Sequence, residues 1–151
     1  MEIHTHTGPR DELRGLFALA EDAPERLAAH LVRGRVLVAV DDGRVIGHVQ
    51  LVEAPEGAEL LTMAVAEDRQ GEGIGRALAE RAIAACRADG LGTLLVATAA
   101  ASTGNLRFYQ RLGFRMLRVE RDAFTVADGY PAGLEIEGIP LRDRVWLSLE
   151  L

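Results

Sequence analysis

Between Gln70 and Arg76 the chain reads Gln-Gly-Glu-Gly-Ile-Gly-Arg, three alternating glycines ahead of an amphipathic run. Glycine accepts left-handed backbone angles and lets a ligand approach the main chain closely. The first amides of a helix have no partner within it, and the helix dipole is positive at that end. A glycine-rich turn opening a helix is therefore suited to hold a phosphate. Two familiar phosphate readers do not fit. A nucleotide P-loop needs Gly-Lys followed by Ser or Thr, and here Gly75-Arg76-Ala77 stands instead. The dinucleotide fingerprint needs G-x-G-x-x-G in a parallel unit, whereas this spacing is G-x-G-x-G behind hairpin-like segments. Glycines that serve only strand–helix packing are the other reading of the turn.

Further residues could move protons. Asn105 and Tyr109 are four apart in a helical stretch and share a face. Glu59 opens an apolar strand, and Glu53 and His48 lie on the strand before it. His48 titrates in a useful range, but one histidine in a strand is usually structural. His4 and His6 alternate on a first strand without a third ligand at fixed spacing, which reads as exposure rather than a metal site. Cys86 sits among alanines and reads as a small buried side chain.

The elements that position these residues follow from periodicity and turn chemistry. Strands are expected at 1–5, 35–40, 45–52 and 59–65, with a hairpin turn at Asp41-Asp42-Gly43. Helical spacing runs over 11–20, and again from Pro24 to Val32. A long helix follows the glycine turn, from 74 to 88. A strand at 93–98, a short helix at 105–111 closed by Gly113, and strands at 114–120 and 144–149 complete the order, with a Gly/Pro-rich loop at 128–138. The order β-α-α-β-β-β-α-β-α-β-β predicts an α/β fold, a mixed sheet with helices on both faces.

The chain has 151 residues and a net charge of -6, and all 17 of its basic residues are arginine. That length suits one domain. The acidic balance argues against nucleic acid and favours a cationic partner. Cys86 is the only cysteine, so no intrachain disulfide or multi-cysteine metal site can form. No signal peptide and no membrane-spanning apolar run is seen, and the expected compartment is the cytoplasm.

Gln70-Gly71-Glu72-Gly73-Ile74-Gly75 resembles the Q/R-x-x-G-x-G/A signature of the GNAT N-acetyltransferase superfamily, and Met63-Ala64-Val65 precedes it as in that family. Downstream, Asn105-Leu106-Arg107-Phe108-Tyr109-Gln110-Arg111-Leu112-Gly113-Phe114 resembles the family's N-x-x-x-Y-x-x-x-G-F segment. The resemblance covers nearly the whole chain in element order, and the tail from Asp122 looks like a bacterial subgroup. It implies one N-acetyltransferase domain over 1–151, with a GNAT-like, mostly antiparallel central sheet and helices on both faces. It implies acetyl-CoA as cosubstrate, no metal, and direct attack by a primary amine without a covalent enzyme intermediate.

By the same resemblance, the amides of Gln70, Gly71, Gly73, Gly75 and Arg76, with Ile74 between them, hold the pyrophosphate of coenzyme A. The strand backbone at Met63, Ala64 and Val65 pairs with the pantetheine arm, and Val65 also holds the thioester carbonyl. Asn105 contacts the pantetheine. Tyr109 lies at the sulfur as general acid or hydrogen-bond stabiliser, and Glu59 takes the place of the general base. Glu72 departs from the Lys or Arg of many relatives, and Arg69 and Arg76 are expected to compensate. The implied acceptor is a small-molecule or protein amine, with no nucleic-acid or membrane partner, and a homodimer is compatible with the family. A non-catalytic acyl-CoA-binding or regulatory module on the same fold is the alternative.

Overall fold

In a computed structural model that describes residues 1–151, seven strands form one sheet in the order β1-β2-β3-β4-β5-β9-β6. The strands are β1 (Glu2–Thr5), β2 (Arg35–Asp41), β3 (Arg44–Ala54), β4 (Gly57–Val65), β5 (Thr93–Ala99), β6 (Arg115–Glu120) and β9 (Arg144–Glu150). Every neighbouring pair is antiparallel except β4–β5. Those two strands are joined through helix α3 (Ile74–Ala88), as a parallel pair requires. The expected mixed, mostly antiparallel sheet is what the chain forms.

The two faces bury different helices. Helices α1 (Arg14–Ala20) and α2 (Pro24–Leu31) set Phe17, Leu27 and Leu31 against Val36 and Val38 of β2. On the opposite face, Ile74, Leu78, Ala82, Ile83 and Cys86 of α3 share one core with Leu37 and Ala39 of β2, Ile46, Val49 and Leu51 of β3, Ala58 and Leu60 of β4, Leu94 and Val96 of β5, and Val145, Leu147 and Leu149 of β9. Gly47 lets α3 approach β3, because a Cβ there would lie 2.9 Å from Leu78. Helix α4 (Thr103–Arg111) joins the same core through Tyr109. It ends where Gly113, at φ 104, lets the Phe114 amide reach back to the Tyr109 carbonyl at 3.1 Å. That bond keeps Phe114 out of β6, which begins at Arg115 rather than at 114.

Two segments differ from expectation. The helix expected from residue 11 opens as a 3-10 turn, Arg10–Leu13, before becoming α1. Arg10 fixes this corner by donating to the carbonyls of Leu31, Arg33 and Gly34. The loop at 128–138 follows a 3-10 turn, Val126–Asp128, and ends in a short hairpin of two-residue strands, β7 (Glu135–Ile136) with β8 (Ile139–Pro140), turned through Glu137 and Gly138 at positive φ. No helix is long and apolar enough to cross a membrane.

What positions the site is an interruption in the sheet. β4 and β5 pair from Gly57↔Thr93 to Leu60↔Val96 and then part. At that level β4 carries an extra residue against β3, since Gln50 faces Thr62 while Leu51 faces Leu60. Leu61 is the bulged residue. A bulge bends its strand and increases the local twist, and here β4 parts from β5 immediately beyond it. The gap becomes a cleft of about 840 Å³.

Candidate active site

The cleft has a backbone-lined half. Ala66 donates to the Ile46 carbonyl at 2.8 Å, so Ala66 turns its main-chain groups toward β3. Strand alternation then turns Ala64 the same way and aims those of Met63 and Val65 into the gap. The Val65 carbonyl accepts from Gln70 Nε2 at 3.1 Å, which leaves the Val65 N–H as the donor facing the cleft. Of the three strand residues expected to offer backbone, Ala64 therefore offers it to β3 and only lines the cleft.

Below Val65, the glycine turn delivers the start of α3. Gly71 and Gly73 both have φ 83, and Gly73 is the helix N-cap in left-handed conformation. No side chain caps this end, so the amides of Ile74, Gly75 and Arg76 project without a partner. A Cβ at Gly71 or Gly73 would meet nothing within 4 Å. Backbone angle and open approach, not internal crowding, thus explain these glycines. The turn is pinned from behind. Arg69 bonds Asp41 at 2.9 Å and Glu72 at 2.9 Å, and Arg44 grips Asp68 at 2.7 and 2.8 Å. Glu72 is thus neutralised by Arg69 itself, while Arg76 is paired with Glu80 at 2.8 Å.

Across the gap, α4 presents Asn105, which donates to Thr98 Oγ1 at 3.2 Å, and Tyr109 one turn on. Tyr109 is buried, edge-on to Phe108 and Phe114. Burial pushes its phenol well above the ordinary value, so it stays protonated.

The other half of the cleft is lined by side chains. Glu59 is half-buried and has no hydrogen-bond or ion-pair partner within the protein. Burial raises its pKa, and the charges of Arg33 and Arg144 pull the other way. Behind it on the same face lies a fixed network. Gln50 Nε2 donates to the carbonyls of His30 and Arg33, at 2.6 and 2.8 Å. Thr62 donates to Gln50 Oε1 at 2.8 Å and accepts from His48 Nε2 at 2.9 Å. His48 is stacked on Phe17, and burial drives its pKa down to about 3, so it is a neutral structural residue. Glu53 is exposed and does not line this cleft. His4 and His6 donate to the carbonyls of Thr5 and Pro9 and belong to no metal-ligand cluster.

All twelve residues expected at the site line this one cleft: Glu59, Met63, Ala64, Val65, Gln70, Gly71, Gly73, Ile74, Gly75, Arg76, Asn105 and Tyr109. The sequence reading singled out no individual residue of the remaining wall of this cleft. Glu21, Arg26 and His30 supply it from the α1–α2 corner, Phe124 and Tyr130 from the late loop, and Arg144 and Trp146 from β9. Only the last two left a signal. They alternate with the buried Val145, Leu147 and Leu149 and so lie on the opposite face of the sheet.

The sequence model of the Acetyltransferase (GNAT) family matches residues 3–114. The chain belongs to this family. It is 32% identical over 142 residues to the uncharacterized N-acetyltransferase YvbK of Bacillus subtilis, covering 93% of this chain and 90% of that one. An acetyltransferase of the same organism, solved in complex with CoA, superposes with a TM-score of 0.90 at 30% identity, covering 99% of this chain and 98% of the other. A GNAT family acetyltransferase from Elizabethkingia anophelis, solved with acetyl-CoA bound, gives 0.87 at 31% identity, covering 99% and 97%. This GNAT chain is thus similar over 99% of its length to these acetyltransferases, past Phe114, where the family match ends.

Proposed function

We propose that this chain binds acetyl-CoA in the cleft between β4 and β5 and transfers the acetyl group to a primary amine by direct attack in a ternary complex. The observation that carries the proposal is the parted strand pair, which sets an uncapped helix start, an unpaired strand edge, a protonated phenol and an unpartnered carboxylate around one cavity. The free amides of α3 suit a pyrophosphate. The cleft-facing groups of Met63 and Val65 suit an extended amide-bearing arm, as a strand edge suits a peptide. The relatives solved with CoA and acetyl-CoA support the same ligand here.

Each end of the reaction then has a group. Glu59 accepts the proton of the attacking amine, directly or through a water, and its raised pKa makes it a better base than a free carboxylate. The Val65 N–H is the donor for the carbonyl oxygen as it gains charge. The Tyr109 hydroxyl donates to the departing sulfur. Because burial raises the Tyr109 pKa, its contribution is a hydrogen bond more than a completed proton transfer.

The test has two arms. Acetyl-CoA should raise the melting temperature, since a ligand at 100 times its Kd stabilises by about 2.7 kcal/mol, whereas ATP and NAD should not. Free thiol should then be released from acetyl-CoA when primary amines are added. Stabilisation without thiol release from any amine would identify a binding module instead, and equal stabilisation by ATP would remove the coenzyme A site.

A further inference from the structure

The charges around the side-chain half of the cleft are not equally committed. Glu21 accepts from the Ala23 amide at 3.0 Å and lies 3.6 Å from Arg26, so these two offset each other at the α1–α2 corner, while His30, 3.8 Å from Glu21, is kept neutral by burial. Arg26 also covers the Tyr130 ring. Arg118 stacks on Trp146 but does not line the cleft. Apart from Asp22, which is exposed, two opposite charges remain. One is Glu59, which has no partner. The other is Arg144, whose side chain is only 15% exposed and whose sole acceptor, Glu120, is 3.4 Å away from one of its nitrogens. Glu120 is already bonded to the Trp146 indole at 3.1 Å.

Arg144 is held by its face rather than by its edge. Its guanidinium lies over the Phe124 ring at 4.7 Å, which fixes the plane and leaves N–H groups without a protein acceptor in the wall of the cleft. A stacked guanidinium with free N–H groups binds carboxylate through two parallel bonds. Its location matches that of Glu59. Leu95 pairs with Glu59 and Ala99 pairs with Arg144, both on β5, and the two side chains come from the same face of the sheet. That register puts their Cα atoms about 16 Å apart, from four residues along and two strand spacings across. The Arg144 charge is near enough to act on the Glu59 carboxylate. Phe124, Tyr130 and Trp146 give the same cleft aromatic walls.

We infer that the acceptor is a small aminocarboxylate, a free amino acid with an apolar side chain, whose amine faces Glu59 and whose carboxylate is held by Arg144. The inference rests on the transfer reading above for the amine end only, because carboxylate recognition can be measured without turnover. Such a zwitterion supplies a partner for each of these two groups. The amine of a peptide N-terminus would meet Glu59 but leave Arg144 facing an amide.

Trp146 is the only tryptophan in the chain and lines the cleft, so its fluorescence reports occupancy. The CoA-loaded protein is titrated with L-leucine, L-methionine and L-phenylalanine, with the amide of each, and with the amine lacking the carboxylate. Each acid should bind about 10- to 100-fold tighter than its amide, the range for a hydrogen bond to a charged group. Arg144→Gln should erase that preference and Arg144→Lys should keep part of it. The comparison of acid with amide stands on the parent protein even if the Gln variant folds poorly. Equal or tighter binding of the amides, or no binding of any of the three acids, overturns the inference. Acids that bind with this preference but release no thiol sustain it while overturning the transfer reading. Thiol release that is equally efficient with the amines lacking a carboxylate does the reverse.

Discussion

Replacing Glu59 with Gln separates a base from a bystander. The carboxylate is half-buried, has no donor in the protein, and has its pKa raised by burial against the pull of Arg33 and Arg144. Activity of the parent should therefore fall on the acid side with an inflection above that of a free carboxyl, as Glu59 takes up its proton. In the Gln variant the rate at neutral pH should drop by about 100-fold or more, within the span of one general base. The shape should change too. The acid inflection should vanish and the rate should climb with pH as the amine itself loses its proton. Stability provides the control. A carboxyl whose pKa is raised by folding holds its proton more tightly in the native state than in the unfolded chain. It favours the fold below its unfolded pKa, and that advantage is lost as the pH rises through the folded value. Ionised Glu59 thus weighs against folding at neutral pH, and the Gln variant should melt at the same temperature or higher. The assay is thiol release at saturating acetyl-CoA across pH 5 to about 10, with melting curves alongside. An unchanged rate and profile would exclude the base role, and a clear drop in Tm would show that Glu59 supports the fold instead.

Tyr109→Phe removes a hydroxyl that has no protein partner while keeping the ring against Phe108 and Phe114; turnover should fall by about 10- to 1000-fold with little change in KM for acetyl-CoA, and steady-state kinetics would disprove the donor role if kcat held. Gly73→Val puts a β-branched side chain at φ 83 on the open side of the turn, and thermal shift should show a folded protein that acetyl-CoA no longer stabilises. Glu72→Gln releases Arg69 from one of its two carboxylates. CoA affinity by calorimetry should rise by no more than about fivefold, and the gain should shrink at high salt. A loss of affinity would mean that the Arg69–Glu72 pair is needed to shape the turn.

Most of the fold was legible because its signals are local. Helix α3 runs over the expected residues, Ile74–Ala88, since left-handed Gly73 opens it and the Leu91 amide closes it by returning to the Cys86 carbonyl at 3.1 Å. The Asp41-Asp42-Gly43 turn supplies the two positive φ values of a tight hairpin at Asp42 and Gly43. Hairpin β7–β8 escaped because two-residue strands have no period. The parting of β4 from β5 escaped for a different reason. Leu61 is a bulge only by its register against Gln50 and Leu51, and register is a property of two strands, not of the sequence of one.

The same distinction divides the cleft by function. The half proposed for the coenzyme is mostly main chain, taken from the contiguous stretch Met63–Arg76, with Asn105 and Tyr109 one helical turn apart on α4. Main-chain donors need little from the sequence beyond glycines at the left-handed positions. A short motif can therefore carry the site, and relatives near 30% identity can share it. The opposing half is built from side chains on the α1–α2 corner, the late loop and β9, brought together only by folding. Nothing in the backbone of the turn depends on Arg144, and nothing holding Arg144 in place depends on the turn. On the proposed reading, acceptor preference is therefore separable from coenzyme binding. Changes at Arg144 should redirect the choice of amine while the stabilisation by acetyl-CoA stays at the parent's level, and changes at Gly73 should do the opposite.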